Sequence, residues 1–281
     1  MSSLQHKIDF AVVLRVKHAN PNGDPLNGNR PRTDYNGYGE ITDVCSKRKL
    51  RDRLAENGQN IFVQSDDRKN DNAKSLRDRA EKALGNRFGS SKTAKLASEI
   101  WFDVRAFGQL FALSKKSNAK GKEGEGDTGL SIPIRGPVTI QSAFSLGPID
   151  ITSTQITKSV SGDGDGTKRG SDTMGMQHRV DEAVYVFYGS MNPQLAERTG
   201  FSDEDAETIK GILPKLFEND ASSARPDGSM AVLKLVWWKH KPGKIGQYSS
   251  ARVHGTLTVK PNGTYTLNNL EGLTPEEIDG F

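Results

Sequence analysis

The stretch "DFAVVLRV" (9–16) is dominated by apolar residues and rich in Val. Such a run reads as a buried strand, and the rest of the chain has to be arranged around it. The next segment is its opposite. "NPNGDPLNGNRPRTD" (20–34) has no hydrophobic period and consists largely of Asn, Gly, Pro, Asp and Arg. A structureless connection of that length is uncommon in a compact domain unless it has a job.

A helix is predicted over "TDVCSKRKLRDRLAEN" (42–57), which opens on Thr-Asp and continues in good helix formers. "VTIQSAFS" (138–145) alternates, with Val138, Ile140 and Phe144 assigned to one face and Thr139, Gln141 and Ser145 to the other. "AVYVFY" (183–188) and "MAVLKLVWW" (230–238) are two further strands. Between them, "SDEDAETIKGILPKLFEND" (202–220) has an N-cap Ser and acids in its first turn, and Pro214 should kink or restart it. The order strand, helix, strand, strand, helix, strand is the β-α-β-β-α-β of an α+β, ferredoxin-like fold. It is also the order of the RNA-recognition motif.

Two insertions interrupt that order. Residues 58–130 are expected to hold helices at 72–85 and 92–113, the second with Ala97, Ile100, Trp101, Val104, Phe107 and Phe111 at helical spacing as a core stripe. Residues 149–180 read as a long hairpin projecting from the sheet, with "ITSTQITKSV" as a strand-forming arm and "SGDGDGTKRG" as a flexible tip. A C-terminal hairpin is expected where "RVHGTLTV" and "TYTL" flank a "KPNG" turn.

Several function classes are disfavoured. The single Cys45 rules out an internal disulfide framework. "MSSLQHKIDF" has no apolar signal-peptide core and no stretch approaches a membrane span, so a soluble, cytoplasmic protein is expected. "GEGDTG" (124–129) matches the dinucleotide fingerprint in letters, but a charged linker precedes it where a strand is required. "DGDG" (163–166) suggests a calcium loop, yet its twelfth position is Met174. The five histidines are scattered, and neither a Cys-x-x-Cys nor a nucleophile elbow is present. No cofactor or metal is expected.

Charge distribution says more than the net value of +4. Residues 15–53 hold nine Lys/Arg against five Asp/Glu, while "NNLEGLTPEEIDGF" (268–281) has four acids and no base. On a helical wheel Lys47, Arg48 and Arg51 fall in one arc of roughly 100°, with no acid in that arc to pair with them, and are expected on the solvent side. Leu50 and Leu54 lie beside them and can face the sheet. Arg30 and Arg32 in the preceding loop add to the basic surface. Together these cations could track a phosphate backbone. Asn20, Asn22 and Gly23 suit a loop that lets a backbone come close and offers N–H groups to phosphates.

These blocks resemble a known family. "NPNGDPLNGNRPRTD", then "GEITDVCSKRKLRDRL" (39–54), is similar to the type I-C backbone subunit of the CRISPR surveillance complex Cascade, in the Cas-seven family of the repeat-associated RNA-binding superfamily. The likeness continues at "DVRAFG" (103–108), "IPIRGPV" (132–138), "TMGMQHRV" (173–180), "ERTGFSDEDAE" (197–207) and "SSARPDGSM" (222–230). The family's basic helix is present as Lys47, Arg48, Lys49, Leu50 and Arg51. One departure is Met176, where relatives commonly carry a basic residue.

The resemblance implies a hand: a ferredoxin-like palm (1–57, 131–148 and 181–281), helical fingers (58–130) and a β-hairpin thumb (149–180). It implies a non-catalytic subunit that polymerises head to tail along CRISPR guide RNA. Each thumb would displace a base at a regular interval and leave its neighbours free to pair with target DNA in antiviral defence. The expected partners are guide RNA, the target DNA strand, further copies of the chain, and the foot-end RNA-capping, large and small Cascade subunits. Guide contacts are expected from the loop and helix residues above, from Arg135, Gly136 and Gln141, and from Lys168, Arg169, Met174, Met176, His178 and Arg179 on the hairpin. Two other readings stay open. Related type III subunits cut target RNA with a divalent metal, and Asp24 or Asp34 lies in the corresponding loop. A generic RNA-binding module that does not assemble is the third.

Overall fold

The computed structural model describes residues 2–113, 130–158 and 174–281. The Val-rich run is the middle of a long strand, β1 (His6–Ala19). The polar stretch after it contains two short paired strands, β2 (Gly23–Asp24) and β3 (Arg30–Pro31), and leads into β4 (Tyr38–Ile41) and α1 (Asp43–Glu56). The first insertion comes next: α2 (Leu76–Leu84), α3 (Thr93–Ile100), α4 (Phe102–Phe107), and a ribbon of β5 (Gly108–Leu113) and β6 (Leu130–Arg135). Then come β7 (Val138–Ile140), β8 (Ala143–Pro148), β9 (Ile151–Thr157) and β10 (Met174–Met191). The chain closes with α5 (Pro193–Thr199), α6 (Asp203–Ile212), β11 (Met230–Pro242), α7 (Ser250–His254), β12 (Leu257–Val259), β13 (Tyr265–Leu267) and β14 (Glu276–Asp279).

The protein is a mixed α/β structure around a central antiparallel sheet. Its strand order is β14-β11-β1-β10-β8-β4, with β7 and β9 also paired to β10. One face of β1, carrying Phe10, Val12, Leu14 and Val16, packs with Leu50 and Leu54 of α1 and Ile209 of α6. Phe10 stacks on Trp237 at 5.5 Å between ring centroids. The other face, with Ala11 and Val13, is covered by Val253 of α7, Leu257 of β12 and Leu273. A third cluster, built on Phe62, Leu84, Trp101, Val104 and Phe111, is the separate core of the first insertion.

Local signals explain most of the helices. Thr42 caps α1 by accepting from the Cys45 backbone N–H, and Ser202 and Asp205 form a reciprocal capping box on α6. Pro214 restarts the chain as a 3-10 turn, Leu213–Lys215.

Two expectations fail. The predicted strand over 138–145 is interrupted: from Ile140 to Ser145 the chain takes five steps while its partner takes four, from Gly189 to Tyr185. This extra residue is a bulge, and it inverts the alternation. Ser145 is therefore buried and Phe144 exposed, the reverse of the expected assignment. The predicted helix over 92–113 also breaks. Trp101 is extended, with φ −112° and ψ 123°, and Phe102 N–H donates to Asn60 C=O at 2.8 Å instead of continuing the helix. Beyond Phe107 the chain becomes β5, entered through Gly108 at φ 82°, where an added Cβ would lie 2.2 Å from the Ile134 carbonyl oxygen. The stripe is still core in part, with Ala97, Trp101, Val104 and Phe111 buried.

The expected hairpin over 149–180 exists as β9 paired with the first residues of β10, from Met174 opposite Thr157 to Val180 opposite Ile151. Its tip, the "DGDG" sequence and the "GEGDTG" sequence lie outside the described residues. The C-terminal hairpin is β12 with β13, although "RVH" belongs to α7.

A buried polar knot ties the start of β1 to the C-terminal segment. Asp9 is fully buried, and its Oδ2 accepts from His240 Nε2 at 2.8 Å and Lys7 Nζ at 2.9 Å. Gln247 N–H donates to His240 Nδ1 at 3.0 Å, so the His240 proton sits on Nε2. His254 Nε2 lies 3.7 Å from the other Asp9 oxygen. Burial holds the His254 imidazole below its ordinary 6.5. Burial alone would raise Asp9, but hydrogen bonds from His240, Ser250 and Lys7 outweigh it and hold the carboxyl below its ordinary 3.8. As pH falls below 6.5 the unfolded chain binds the His254 proton first, so stability drops; the Asp9 contribution is full above 3.8 and is lost as pH falls through the lower folded value. Urea unfolding at about pH 7.5 and pH 5.5 should show lower stability at the acid value, and His254→Gln should shrink that difference. An unchanged pH dependence in the variant would remove His254 from the knot's acid response.

Candidate nucleic-acid interface

The turn-rich stretch is an ordered, self-bonded loop. Asn20 is buried; its N–H donates to Ala224 C=O at 2.8 Å and its Nδ2 to Asn29 C=O at 2.7 Å. Asn22 Oδ1 accepts from both the N–H and the Oγ1 of Thr42, at 3.0 and 2.9 Å, so the loop is fastened to the residue that caps α1. Gly23 lies against Asn29, and an added Cβ would fall 2.0 Å from Asn29 Oδ1. Asp24 accepts from Leu26 N–H at 3.2 Å and caps the 3-10 turn Pro25–Asn27. Asp34 Oδ1 accepts from the N–H groups of Asn36 and Tyr38, both at 2.9 Å. These side chains do locally what a sheet partner does for a strand. The loop's own apolar residues, Leu26 and Tyr35, are left fully exposed.

Between this loop and α1 lies an open cleft of about 640 Å³, lined among others by Asn22, Gly23, Arg32, Val44, Arg48 and Arg225. At its edge Asp220 holds two cations: Lys49, which is buried, and Arg225, whose Nε lies 3.1 Å away. Burial pulls the Lys49 ammonium below its ordinary value, and Asp220 works against that shift. Burial likewise pushes the Cys45 thiol up. Arg225 and Ser142 are cleft residues that sequence reasoning did not single out. Arg225 lies in the "SSARPDGSM" block of the family likeness, but its place at the site comes from the fold: Asn20 pairs with Ala224 across the start of the loop, and Asp220 holds the guanidinium.

The basic helix does not present its cations as expected. Acids flank the arc and reach into it. Lys47 pairs with Asp43 at 2.9 Å, and Arg48 lies 3.7 Å from Asp52. Arg48 alone of the three is largely exposed and lines the cleft. Arg51 is turned inward: only 14% of its side chain is exposed, its Nε donates to Asp103 at 2.9 Å, and its guanidinium covers the Phe107 ring. Asp103 also accepts from the N–H groups of Phe62 and Val63, at 2.7 and 3.0 Å. The expectation that all three cations face solvent is therefore wrong for Arg51, because a buried carboxylate from α4 claims it.

The hairpin root meets the same loop. Arg30 Nη2 donates to Ser153 Oγ at 3.3 Å, and Ser153 Oγ is 2.8 Å from His178 Nδ1. His178 is buried and engaged, not free to hold a phosphate as the sequence suggested. Alternation puts Met174 and Met176 on the His178 face, where both are exposed, at 65% and 55%. Arg179 points the other way and is exposed, as are Arg135 and Gln141. Gly136 is buried where β6 crosses the end of α4: a Cβ would lie 2.3 Å from the Ala106 carbonyl oxygen, which gives it a packing role. Lys168 and Arg169 lie outside the described residues. The structure thus brings Asn22, Gly23, Arg32 and Arg48 to one cleft and Arg30, Met176 and His178 to the hairpin beside the loop, while Arg51 and Gly136 serve the packing of the first insertion.

Among the described residues, no group of three or more His, Cys, Asp and Glu is arranged to hold a metal ion. Nor is any helix there long and apolar enough to cross a membrane.

The family model described as CRISPR-associated protein Cas7 matches residues 6–275. The chain belongs to the Cas7 family. A CRISPR-associated protein Cas7 from Haloferax volcanii is 26% identical over 229 residues, which is 78% of this chain and 66% of that protein. The chain thus spans a little less than two thirds of that relative's length. Chains of two solved structures titled "CRISPR RNA-guided surveillance complex", one of them pre-nicking, are also similar. They are 14% and 15% identical, each with a TM-score of 0.44, covering 85% and 95% of this chain and 80% and 77% of theirs.

In this Cas7 family member the Arg51–Asp103 pair joins α1 to the first insertion, with the carboxylate enclosed and the guanidinium largely covered. Arg51→Ala should cost about 3 kcal/mol, because it leaves a buried carboxylate without its cation. Urea unfolding with an unchanged m-value checks this, and Lys47→Ala, at a partly exposed pair, should cost under about 1 kcal/mol in the same assay.

Proposed function

We propose that this chain is the backbone subunit of a type I-C Cascade complex: it polymerises head to tail along CRISPR guide RNA, holds its phosphates and performs no chemistry itself. The observation that carries the reading is the convergence at one cleft of the 20–34 loop, the first half of α1 and the loop bearing Arg225, with the hairpin root fastened alongside through Arg30 and Ser153. Cations, amide groups and backbone N–H groups in such a groove suit a sugar-phosphate chain, whose contacts position without reading sequence.

The strand order supports a ferredoxin-like palm. With β7 and β8 taken as one interrupted strand, the four core strands lie in the order fourth, first, third, second, all antiparallel, and α1 and α6 share a face. The opposite face, where RNA-recognition motifs stack bases, is closed by α7, β12 and β13. That favours RNA at the loops. The hairpin is the thumb of this reading: Met174 and Met176 wedge beside an unstacked base, and the neighbouring bases stay free to pair with target DNA. Repeating a heterologous contact gives an open helical filament, the form a guide of many bases needs. Asp24 and Asp34 are occupied in capping and turn bonds, which supports a subunit without nuclease activity.

Replacing Arg48 and Arg225 together by Ala should weaken binding of guide RNA about uniformly across sequences and flatten the slope of log affinity against log salt by about 1.4, two phosphate contacts at about 0.7 each. Unchanged affinity and slope would take the cleft off the RNA path. Replacing residues 161–176 with a short Gly-Ser linker should leave a folded monomer that forms shorter filaments on guide RNA, measured by electron microscopy and sizing. It should also erase the periodic reactivity of guide bases to chemical probes. Normal assembly with the periodicity intact would mean that the hairpin does not displace the bases.

A further inference from the structure

The cations at the cleft are already answered from within the chain. Arg225 and Lys49 share Asp220, and Arg32 lies against Asp24, with Nη2 3.4 Å from Oδ1. The two carboxylates are not equivalent. Asp220 is almost enclosed and neutralises a buried ammonium, so it cannot let go without stranding Lys49. Asp24 is at the rim: 26% of its side chain and 34% of the Arg32 side chain are exposed. The Arg32 guanidinium is also under-used. Its Nε is buried without a hydrogen-bond partner, and the contact with Asp24 is long for a charge-assisted bond. A guanidinium one third exposed takes a phosphate through its Nη groups better than it keeps one distant carboxylate oxygen.

We propose that Asp24 is a built-in competitor for phosphate: it holds Arg32 in the free chain and yields it when an RNA phosphate enters the cleft. The inference rests on the cleft being the guide-binding surface. Binding is then an exchange of one acid for another at Arg32, and Asp24 lowers the chain's affinity for any RNA backbone. The same carboxylate keeps its second task, since its bond to Leu26 N–H caps the adjoining turn whether or not Arg32 is engaged.

The test is Asp24→Asn in the full chain. Asn retains an oxygen acceptor for Leu26 N–H and is itself a good cap, so the variant removes charge and little else. With a short labelled oligouridine and fluorescence anisotropy over a salt series, D24N should bind about two- to fivefold more tightly at low salt, the scale of a partly exposed ion pair. The slope against log salt should steepen by up to about 0.7. In an Arg32→Gln background the gain should vanish. Binding that is unchanged or weaker in D24N, with the thermal melt of the parent, overturns the inference; so does a gain that survives Arg32→Gln, which would reflect general charge. Asp24→Ser, which also keeps an acceptor, stands in if D24N melts early. If Arg48→Ala with Arg225→Ala leaves oligouridine binding untouched, the cleft reading falls and this inference with it. If that pair weakens binding and D24N has no effect, only the competitor role fails.

Discussion

A strand with no polar side has to be roofed twice, and β1 is such a strand. Phe10, Val12, Leu14 and Val16 point one way and Ala11 and Val13 the other, all essentially without exposure. One roof is α1 and α6; the other is α7 with β12 and Leu273. Both broad faces of the sheet's centre are thereby used up by the core. What the sheet itself still offers another molecule is its edges, the ends of the strands, the loops leaving them and the extension of β9 and β10 beyond it. The 20–34 loop leaves β1 at one such end, and the hairpin leaves at the same place, since Ala19 pairs with Val180.

The electrostatics of that end are set by geometry more than by composition. The segment 15–53 is rich in cations, yet α1 turns Lys49, Arg51 and Arg53 inward toward partners on other elements. Inside the protein each such cation is tolerable only because a carboxylate or carbonyl meets it, and breaking a pair strands the other charge. These cations therefore hold α1 against the first insertion and the 218–225 segment. Of the segment's cations, the cleft keeps Arg48 and the contested Arg32, joined by the remote Arg225, with α1's capped N-terminus opening into it and Arg30 beside it at the hairpin root.

Much of the framework was legible because its signals are local. A run such as "FAVVLRV" is driven out of water, an N-cap Ser202 followed by acids favours a helix start, and Pro214 interrupts the helix that follows. The alternation in "VTIQSAFS" identifies a strand but misassigns its faces, because the bulge after Ile140 depends on how β10 pairs, which lies more than forty residues away. The helix predicted through 113 stops at Trp101 for a similar reason: its aromatic stripe suits either a helix or the folded-over arrangement in which Trp101 and Phe111 both pack on Phe62.

The amino-acid order by itself determined most of the core element types, the length of the connection after β1 and the basic character of the segment beyond it. Only the tertiary structure decided which charges face water. The decisive partners are remote: Arg51 and Asp103 are 52 residues apart, Arg30 and Ser153 are 123 apart, and Lys49 and Asp220 are 171 apart. A helical wheel records direction around one axis and nothing about what stands opposite. Whether a cation is a ligand for phosphate or a strut in the core depends on the carboxylate that folding places beside it, and that placement is a property of the packed chain.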